Sequence, residues 1–363
     1  MKKVGEKSQA VTMRDVAAQS GFSPATVSIV LNNAPLARYI APATKRRIEE
    51  TAKKLGYRPN VMARFLRSKR SHSIGVLVFD ITDPFCTLIM RGVENTLYQA
   101  SYLPIFADAH NQWARFERYL ELLLERHVEG LIVVANWLFV DIQLLADLSK
   151  RNIPSVTIGW ELPDNHITSV MVDNESGAKL ALEHLHQLGH RTIAFIRGPK
   201  MLIDSAPRWR GIQKFAQAAG LEIDPSMVLQ LPESLDPNSS FESGFRYTET
   251  LLEQKKKFTA VMAFDDLTAF GVIRALNKAG IKVPEQCSVT GFDDVALSSL
   301  ASPSLTTVRQ PMEAMGCLAV NLVMEGINAA LEKREWPVVS HKMNPELVIR
   351  QSTRAVSLGA SDD

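Results

Sequence analysis

The sequence predicts an α/β protein with parallel sheets, preceded by a small all-α head built around a helix-turn-helix. Three observations carry that prediction. The first is a pair of short, well-capped helical patterns in the stretch TMRDVAAQSGFSPATVSIVLNN, which begins at Thr12. The second is the alternation, from Ile74 on, of short apolar runs with amphipathic stretches, the pattern of right-handed βαβ units. The third is charge. Residues 1–72 hold 15 Lys/Arg against 4 Asp/Glu, or +11, whereas the remainder holds 26 against 35, or −9. A basic head on an acidic body suits a polyanion-binding module joined to a domain with another task.

In chain order, residues 1–11 read as an arm. Thr12 and Asp15 have capping-box spacing, so a helix starts at Met13, with Met13, Val16 and Ala17 as its stripe and Gly21 as its stop. Ser23 and Pro24 form an N-cap and a first-turn proline, and Val27, Val30 and Leu31 are the buried face of the second helix. Two short helices joined by a tight turn make a helix-turn-helix. A third amphipathic helix covers 43–55, with Gly56 as its cap; the loop before it, NNAPLARYIAP, offers Arg38 and Tyr39 to a nucleic-acid backbone. Residues 60–66, NVMARFL, lie among Arg58, Arg64, Arg67, Lys69 and Arg70 and form a helix too short to hold alone in water.

Beyond Ile74, strands are expected over 74–79, 103–107, 130–135, 155–159, 169–172, 192–196, 228–231, 260–264 and 288–292. Helices are expected over 84–100, 113–127, 141–151, 175–188, 208–219, 241–255 and 267–279. Two groups of βαβ units imply two lobes, with the first passage between them near Trp160 to Pro163. The domain limits are 1–58 for the head, 59–72 for a hinge helix and linker, 73–350 for the two-lobed body and 351–363 for a polar tail. That tail has no leucine heptads for a coiled coil.

Several function classes are disfavoured. No apolar run reaches the ~18 residues of a membrane span, and Lys2, Lys3 and Lys7 are not followed by the apolar region of a signal peptide. Cys86, Cys287 and Cys317 are far apart and read as reduced cytosolic thiols. His184, His186 and His190 do not form HExxH, and His184 and His186 sit on different helix faces, so no metal is expected. Phosphate-loop and GxSxG signatures are missing. The pairs Asp265-Asp266 and Asp293-Asp294 have no nucleophile near them in sequence. The expectation is a protein without cofactor that is not an enzyme.

The head, read on through Ile74-Gly75, resembles the lactose-repressor/galactose-repressor family of bacterial transcription regulators. The resemblance continues through DPFCTLIMRGVE, VDNESGAKLALEHL, LGHRTIAFIRGP, DDLTAFGVIRAL and VTGFDD to SLTTVRQP, in matching order over nearly the whole chain. It implies a periplasmic-binding-protein-like core and further lobe crossings near 292–310 and near Trp336. It also implies a cytoplasmic homodimer on a palindromic DNA operator, most simply a repressor, whose affinity is set by a small molecule. The rival readings are a two-lobed solute receptor without a DNA role and a sugar-processing enzyme.

A helix-turn-helix places the start of its second helix in the major groove. Pro24, Ala25, Ser28 and Ile29 are then the exposed readers, with Thr26 and Asn32 placed for phosphates and Thr12, Arg14 and Ser23 at the two helix starts. In the family the first, second and sixth residues of that helix usually face base edges. Here they are the apolar Pro24, Ala25 and Ile29, which leave contact with thymine methyls. By resemblance, 60–66 enters the minor groove when two copies pack together on DNA. Asn60 and Arg64 then contact DNA, and Leu66 wedges into the central base step.

Parallel sheets bind ligands beyond the carboxyl ends of their strands. Asp83, Phe85, Trp137, Trp160, Arg208, Asp265, Asp266 and Asp293 all follow expected strands. Aromatic faces with one cation and several carboxylates suit a polyhydroxylated ring. The resemblance places Phe85, Trp160, Arg208, Asp265 and Asp293 at effector-contacting positions, and Asp83 joins them on position alone. Asp266 has an alternative role as a helix cap. A nucleobase or nucleoside remains the other effector class. Against it, the family's purine-responsive branch has an arginine where this chain has Leu202.

Overall fold

Thr12 caps the first helix as its spacing predicts. Its N–H donates to the Asp15 carboxylate at 2.7 Å, its hydroxyl accepts from the Asp15 N–H at 3.4 Å, and α1 runs Met13–Ser20. Gly21, at φ 78°, ends it in a left-handed conformation open to a residue without Cβ. The Ser23 hydroxyl accepts from the Thr26 N–H at 3.1 Å and caps α2, Pro24–Leu31. A 3-10 turn, Pro35–Tyr39, precedes α3, Pro42–Leu55, which ends at the left-handed Gly56. Val16, Ala17, Val27, Val30, Ile48 and Ala52 close one small core between the three helices. They belong to the first of two units, Met1–Ser71; the second is His72–Asp363. The computed structural model describes residues 11–32, 34–58, 70–135, 153–160, 167–234, 236 and 239–356. The helices expected over 60–66 and 141–151, with Asn60, Arg64, Leu66 and Trp137, lie outside them.

The second unit has two lobes, each built on a six-stranded sheet. The first sheet contains β1 Ser73–Val78, β2 Leu103–Asp108, β3 Gly130–Val134, β4 Ser155–Ile158, β5 Thr168–Val172 and β11 Ser340–Met343. Its order is β11-β5-β4-β3-β1-β2, parallel throughout. The second contains β6 Ile193–Arg197, β7 Val228–Gln230, β8 Ala260–Met262, β9 Ser288–Asp293, β10 Thr306–Arg309 and β12 Glu346–Val348. Its order is β12-β10-β9-β8-β6-β7, with β10 and β12 the antiparallel pair. All nine expected strands are present, with ends shifted by at most two residues. Their interior members read as unbroken apolar runs because helices cover both faces.

The helices of this unit are α4 Pro84–Gln99, α5 Trp113–Glu125, α6 Asn174–Gln187, α7 Ser205–Ala219 and α8 Ser239–Glu253. They continue with α9 Asp266–Lys278, α10 Ala296–Leu300 and α11 Met312–Glu332. Sequence periodicity did not single out α11. One face of it shares a core with α4, β1, β3 and β4 through Met315, Ala319, Val320 and Val323, while Ala314, Ala330 and Leu331 put further apolar residues on the exposed side.

The lobe crossings need correction. The chain does not pass over near Trp160, since β5 follows it and still pairs with β4 in the first sheet. It crosses at Asp173, between β5 and α6. The second crossing, at Gln310-Pro311 between β10 and α11, falls at the end of the expected stretch. The third is not near Trp336, because β11 comes later and pairs with β5; it lies at Asn344-Pro345. In both corrected cases an edge strand extends the first sheet before the chain leaves it. Two of the crossing segments touch, the Asp173 N–H donating to the Met343 carbonyl at 2.8 Å.

Candidate functional site

The carboxyl ends of both sheets face a common cleft between the lobes. Asp83 and Phe85 reach it from the end of β1. Leu231, Phe264, Asp265, Asp293 and Gln310 reach it from the ends of β7, β8, β9 and β10. The cleft is open to solvent, and the empty space in and around it is about 840 Å³. Local rules place the acids. Asp83 is the N-cap of α4 and accepts from the Phe85 N–H at 3.0 Å, with Pro84 at the first helical position. Asp265 is the N-cap of α9 and accepts from the Thr268 N–H at 2.6 Å. Asp204 occupies the N-cap position of α7. Asp293, at φ 117°, is held in a region that side chains rarely adopt, and Asp294 follows at φ 56°.

Arg208 organises the floor. It is 6 % exposed, and its guanidinium carbon lies 3.6 Å from the Phe292 ring centroid and 4.5 Å from that of Phe264. Its Nε donates to Asn174 at 2.8 Å and an Nη1 donates to the Phe264 carbonyl at 2.8 Å. The other Nη2 lies 3.6 Å from both Asp204 and Asp293. Asn174 passes the network on, donating to Asp204 at 2.7 Å. Gln310 donates to Asp293 at 2.6 Å, while its buried Oε1 has no partner among the described residues.

Burial pushes the Asp293 carboxyl well above the ordinary carboxylate range; Arg208 opposes the shift, and Asp266 and Asp265 add to it. Burial likewise raises Asp265, against the bonds from Thr268, and Asp204, against Arg208 and Asn174. The alternative role of Asp266 as a helix cap falls instead to Asp265. Fully buried, Asp266 accepts from the Val295 N–H at 2.9 Å, from Ser298 Oγ at 2.6 Å and from Thr307 Oγ1, and burial pushes it up to about 7.

Five expected effector residues therefore meet in one cleft: Asp83, Phe85, Arg208, Asp265 and Asp293. Trp160 does not join them. It is 3 % exposed and packed with Phe79, Phe116 and Ile167 in the first lobe. Leu202 supplies part of the apolar wall. Sequence reasoning missed Asn174, Asp204, Phe264 and Gln310. Asn174 follows a cap aspartate and Gln310 precedes a proline, and neither position distinguishes a site residue from a helix start or a turn.

On the head, Pro24 and Ala25 are exposed, and so is Arg14 on α1. Thr26, Ser28, Ile29 and Asn32 are half-buried. The Ser23 and Thr26 hydroxyls bond each other at 2.9 Å, and the Asn32 amide donates to the Ser28 carbonyl at 2.8 Å and hydroxyl at 3.1 Å. These side chains therefore brace α2 before any DNA arrives. Thr12 is likewise engaged with Asp15.

Residues 12–60 match the model of the bacterial regulatory proteins of the lacI family, and residues 182–353 match the periplasmic binding protein-like domain. The HTH-type transcriptional repressor PurR of Aliivibrio fischeri is 34 % identical, covering 94 % of this chain and 98 % of its own. The HTH-type transcriptional repressor CytR of Escherichia coli K12 is 30 % identical, covering 98 % and 99 %. Among solved structures, the lac repressor dimer bound to operator and the anti-inducer ONPF superposes with a TM-score of 0.81 at 26 % identity, covering 96 % and 100 %. The transcriptional regulator CelR in complex with cellobiose superposes with a TM-score of 0.68 at 28 % identity, covering 94 % and 99 %.

Proposed function

The chain belongs to the lacI family of bacterial regulatory proteins, with DNA-binding transcriptional repressors as its relatives, and from that premise we propose that a small carbohydrate in the interlobe cleft controls its hold on DNA. The observation that carries the carbohydrate is that the aromatic side chains Phe85 and Phe264 line the same cleft as the acceptors Asp265, Asp293 and Gln310. Rings with C–H faces and vicinal hydroxyls fit that combination. The cellobiose in the CelR complex is consistent with it. A nucleobase or nucleoside is the second reading, favoured by the same aromatic side chains and disfavoured by the apolar Leu202. A thermal-shift screen against sugars and nucleosides tests both, since a ligand stabilises the state it binds. Stabilisation by a nucleoside and by no sugar sinks the carbohydrate.

The protein acts in the cytoplasm as a homodimer on a palindromic operator. Leu103 and Phe106 on β2, Tyr98 on α4, and Leu297 and Leu300 on α10 are exposed apolar side chains that suit a second copy. Pro24, Ala25, Ser28 and Ile29 read the major groove, with Thr12, Arg14, Ser23, Thr26 and Asn32 supporting phosphate contacts. Asn60, Arg64 and Leu66 act in the minor groove. If Leu66 wedges into the central step, Leu66→Ala weakens operator binding by ~1–3 kcal/mol and leaves random-DNA affinity nearly unchanged. Equal losses on operator and random DNA remove the wedge from the proposal.

A further inference from the structure

The cleft wall is rich in acids. Asp83, Asp204, Asp236, Asp265 and Asp293 line it, against Arg208 as the one guanidinium or ammonium group among the described lining residues. The fixed charge of Arg208 is already answered by two carboxylates, and two of its donors are spent on Asn174 and the Phe264 carbonyl. An anion entering the cleft finds the guanidinium committed before it arrives.

Helix N-termini are the other feature of an α/β cleft that attracts anions, through free N–H groups and the positive end of the macrodipole. Three N-termini reach this cleft with an aspartate of the chain itself at the cap: Asp83 on α4, Asp204 on α7 and Asp265 on α9. Two of these carboxylates accept backbone N–H bonds there, from Phe85 and from Thr268. The positions where a phosphate would sit already hold a carboxyl group of the chain.

What the wall leaves unanswered is an acceptor. Gln310 is 4 % exposed, its Nε2 is given to Asp293, and its Oε1 is buried without a partner among the described residues. A buried acceptor left unmet is costly, and a ligand donor restores it. The raised carboxyls of Asp265 and Asp293 agree: burial makes their ionised forms costly, and a donor from a ligand relieves them where a second anion makes them worse. The Ser240 and Ser243 hydroxyls on the same wall serve either kind of partner.

We infer that the effector meets this cleft with hydrogen-bond donors and without negative charge, as an unphosphorylated, non-acidic polyol whose hydroxyls face Gln310, Asp265 and Asp293. The inference deepens the carbohydrate reading of the same cleft and rests on it.

The test is isothermal titration of the full-length protein with matched sets: ribose with ribose 5-phosphate, glucose with glucose 6-phosphate and glucuronate, cellobiose, and adenosine. The expected result is binding confined to neutral sugars, with each anionic partner at least tenfold weaker than its parent. Asp265→Asn is the second arm. Asparagine caps a helix as well as aspartate does, so the fold is retained while one charge is lost. The variant should narrow the neutral-to-anionic gap by about tenfold at an unchanged melting temperature. A phosphate or uronate that binds as tightly as its neutral parent overturns the inference and leaves the carbohydrate reading standing. Binding of adenosine with silence from every sugar overturns the carbohydrate reading itself. An Asp265→Asn variant that folds and keeps the full gap removes the aspartate caps as its cause.

Discussion

The Gln310 amide donates to the Asp293 carboxylate at 2.6 Å, and this bond ties the cleft to the point where β10 leaves for the first lobe. Asp293 ends β9 in a left-handed turn, and Gln310 is the last residue before Pro311 and α11. A ligand that repositions either side chain therefore acts on a crossing segment directly. Gln310→Met keeps the volume and removes both the bond and the unmet acceptor. It should weaken effector binding by at least tenfold, since bonds to charged groups contribute about 1.5–3 kcal/mol. Operator affinity without effector should hold. Titration calorimetry and gel-shift assays on one preparation check both, and an unchanged effector affinity would remove Gln310 from the site.

Arg208 is more than a ligand contact. Its removal leaves Asp204 and Asp293 buried without their cation, and breaking a buried pair by deleting one partner costs about 3–5 kcal/mol. Arg208→Ala should accordingly lose effector response and also lower the melting temperature. Arg208→Lys should keep part of the stability and none of the response. An ammonium cannot reproduce the bonds to Asn174 and the Phe264 carbonyl while lying flat between two rings. A lysine variant with wild-type response would show that charge alone is required.

Asp266 sets a pH dependence of stability. Its carboxyl is pushed from the ordinary 3.8 up to about 7 in the folded chain, so the native state holds a proton that the unfolded chain has released. The stability this proton contributes is full below pH 3.8 and is lost as pH rises from there to about 7. Asp265 and Asp293 interact with it through their charge, so the comparison must be with a variant. Asp266→Asn should flatten the fall in melting temperature between pH 4 and 7 while lowering stability near pH 4, where three donors compete for one amide oxygen. Parallel curves for the two proteins across that range would rule out Asp266 as the source.

Legibility followed locality. Thr12 with Asp15, Ser23 with Pro24, and the strands β1 to β9 were readable because caps and apolar runs act within a few residues. Asp83, Phe85, Asp265 and Asp293 were readable because a position just past a strand predicts a place on the rim, and Arg208, inside α7, was readable through the family resemblance. Asn174 and Gln310 were not, since what makes them part of the site is contact with Arg208 and Asp293, 34 and 17 residues away. Trp160 was misplaced for a related reason: whether a strand is the last of its sheet depends on pairing with β5 and β11, which no local pattern announces. The helix α11 escaped because Ala314, Ala330 and Leu331 on its exposed side blur the stripe that marks an amphipathic helix.

The α4–α11 contact offers a test of how the first lobe is held. A Cβ at Gly92 would lie 2.1 Å from the Glu313 carbonyl oxygen, and one at Gly316 would lie 2.3 Å from that of Ile89. The two helices thus meet backbone to backbone, each glycine facing the other helix's main chain, and neither obstacle is a side chain that can swing aside. Alanine gains about 1 kcal/mol over glycine in a free helix. Here that gain is outweighed, because the helices must part by more than an ångström along a core that includes Ile89, Val93, Met315 and Val320. Gly92→Ala and Gly316→Ala should each destabilise the protein by ~1–3 kcal/mol in urea unfolding. The double variant should cost less than the two combined, since one separation of the helices relieves both clashes. Either single variant at wild-type stability, or strict additivity in the double, would mean that the helices do not touch at these two residues.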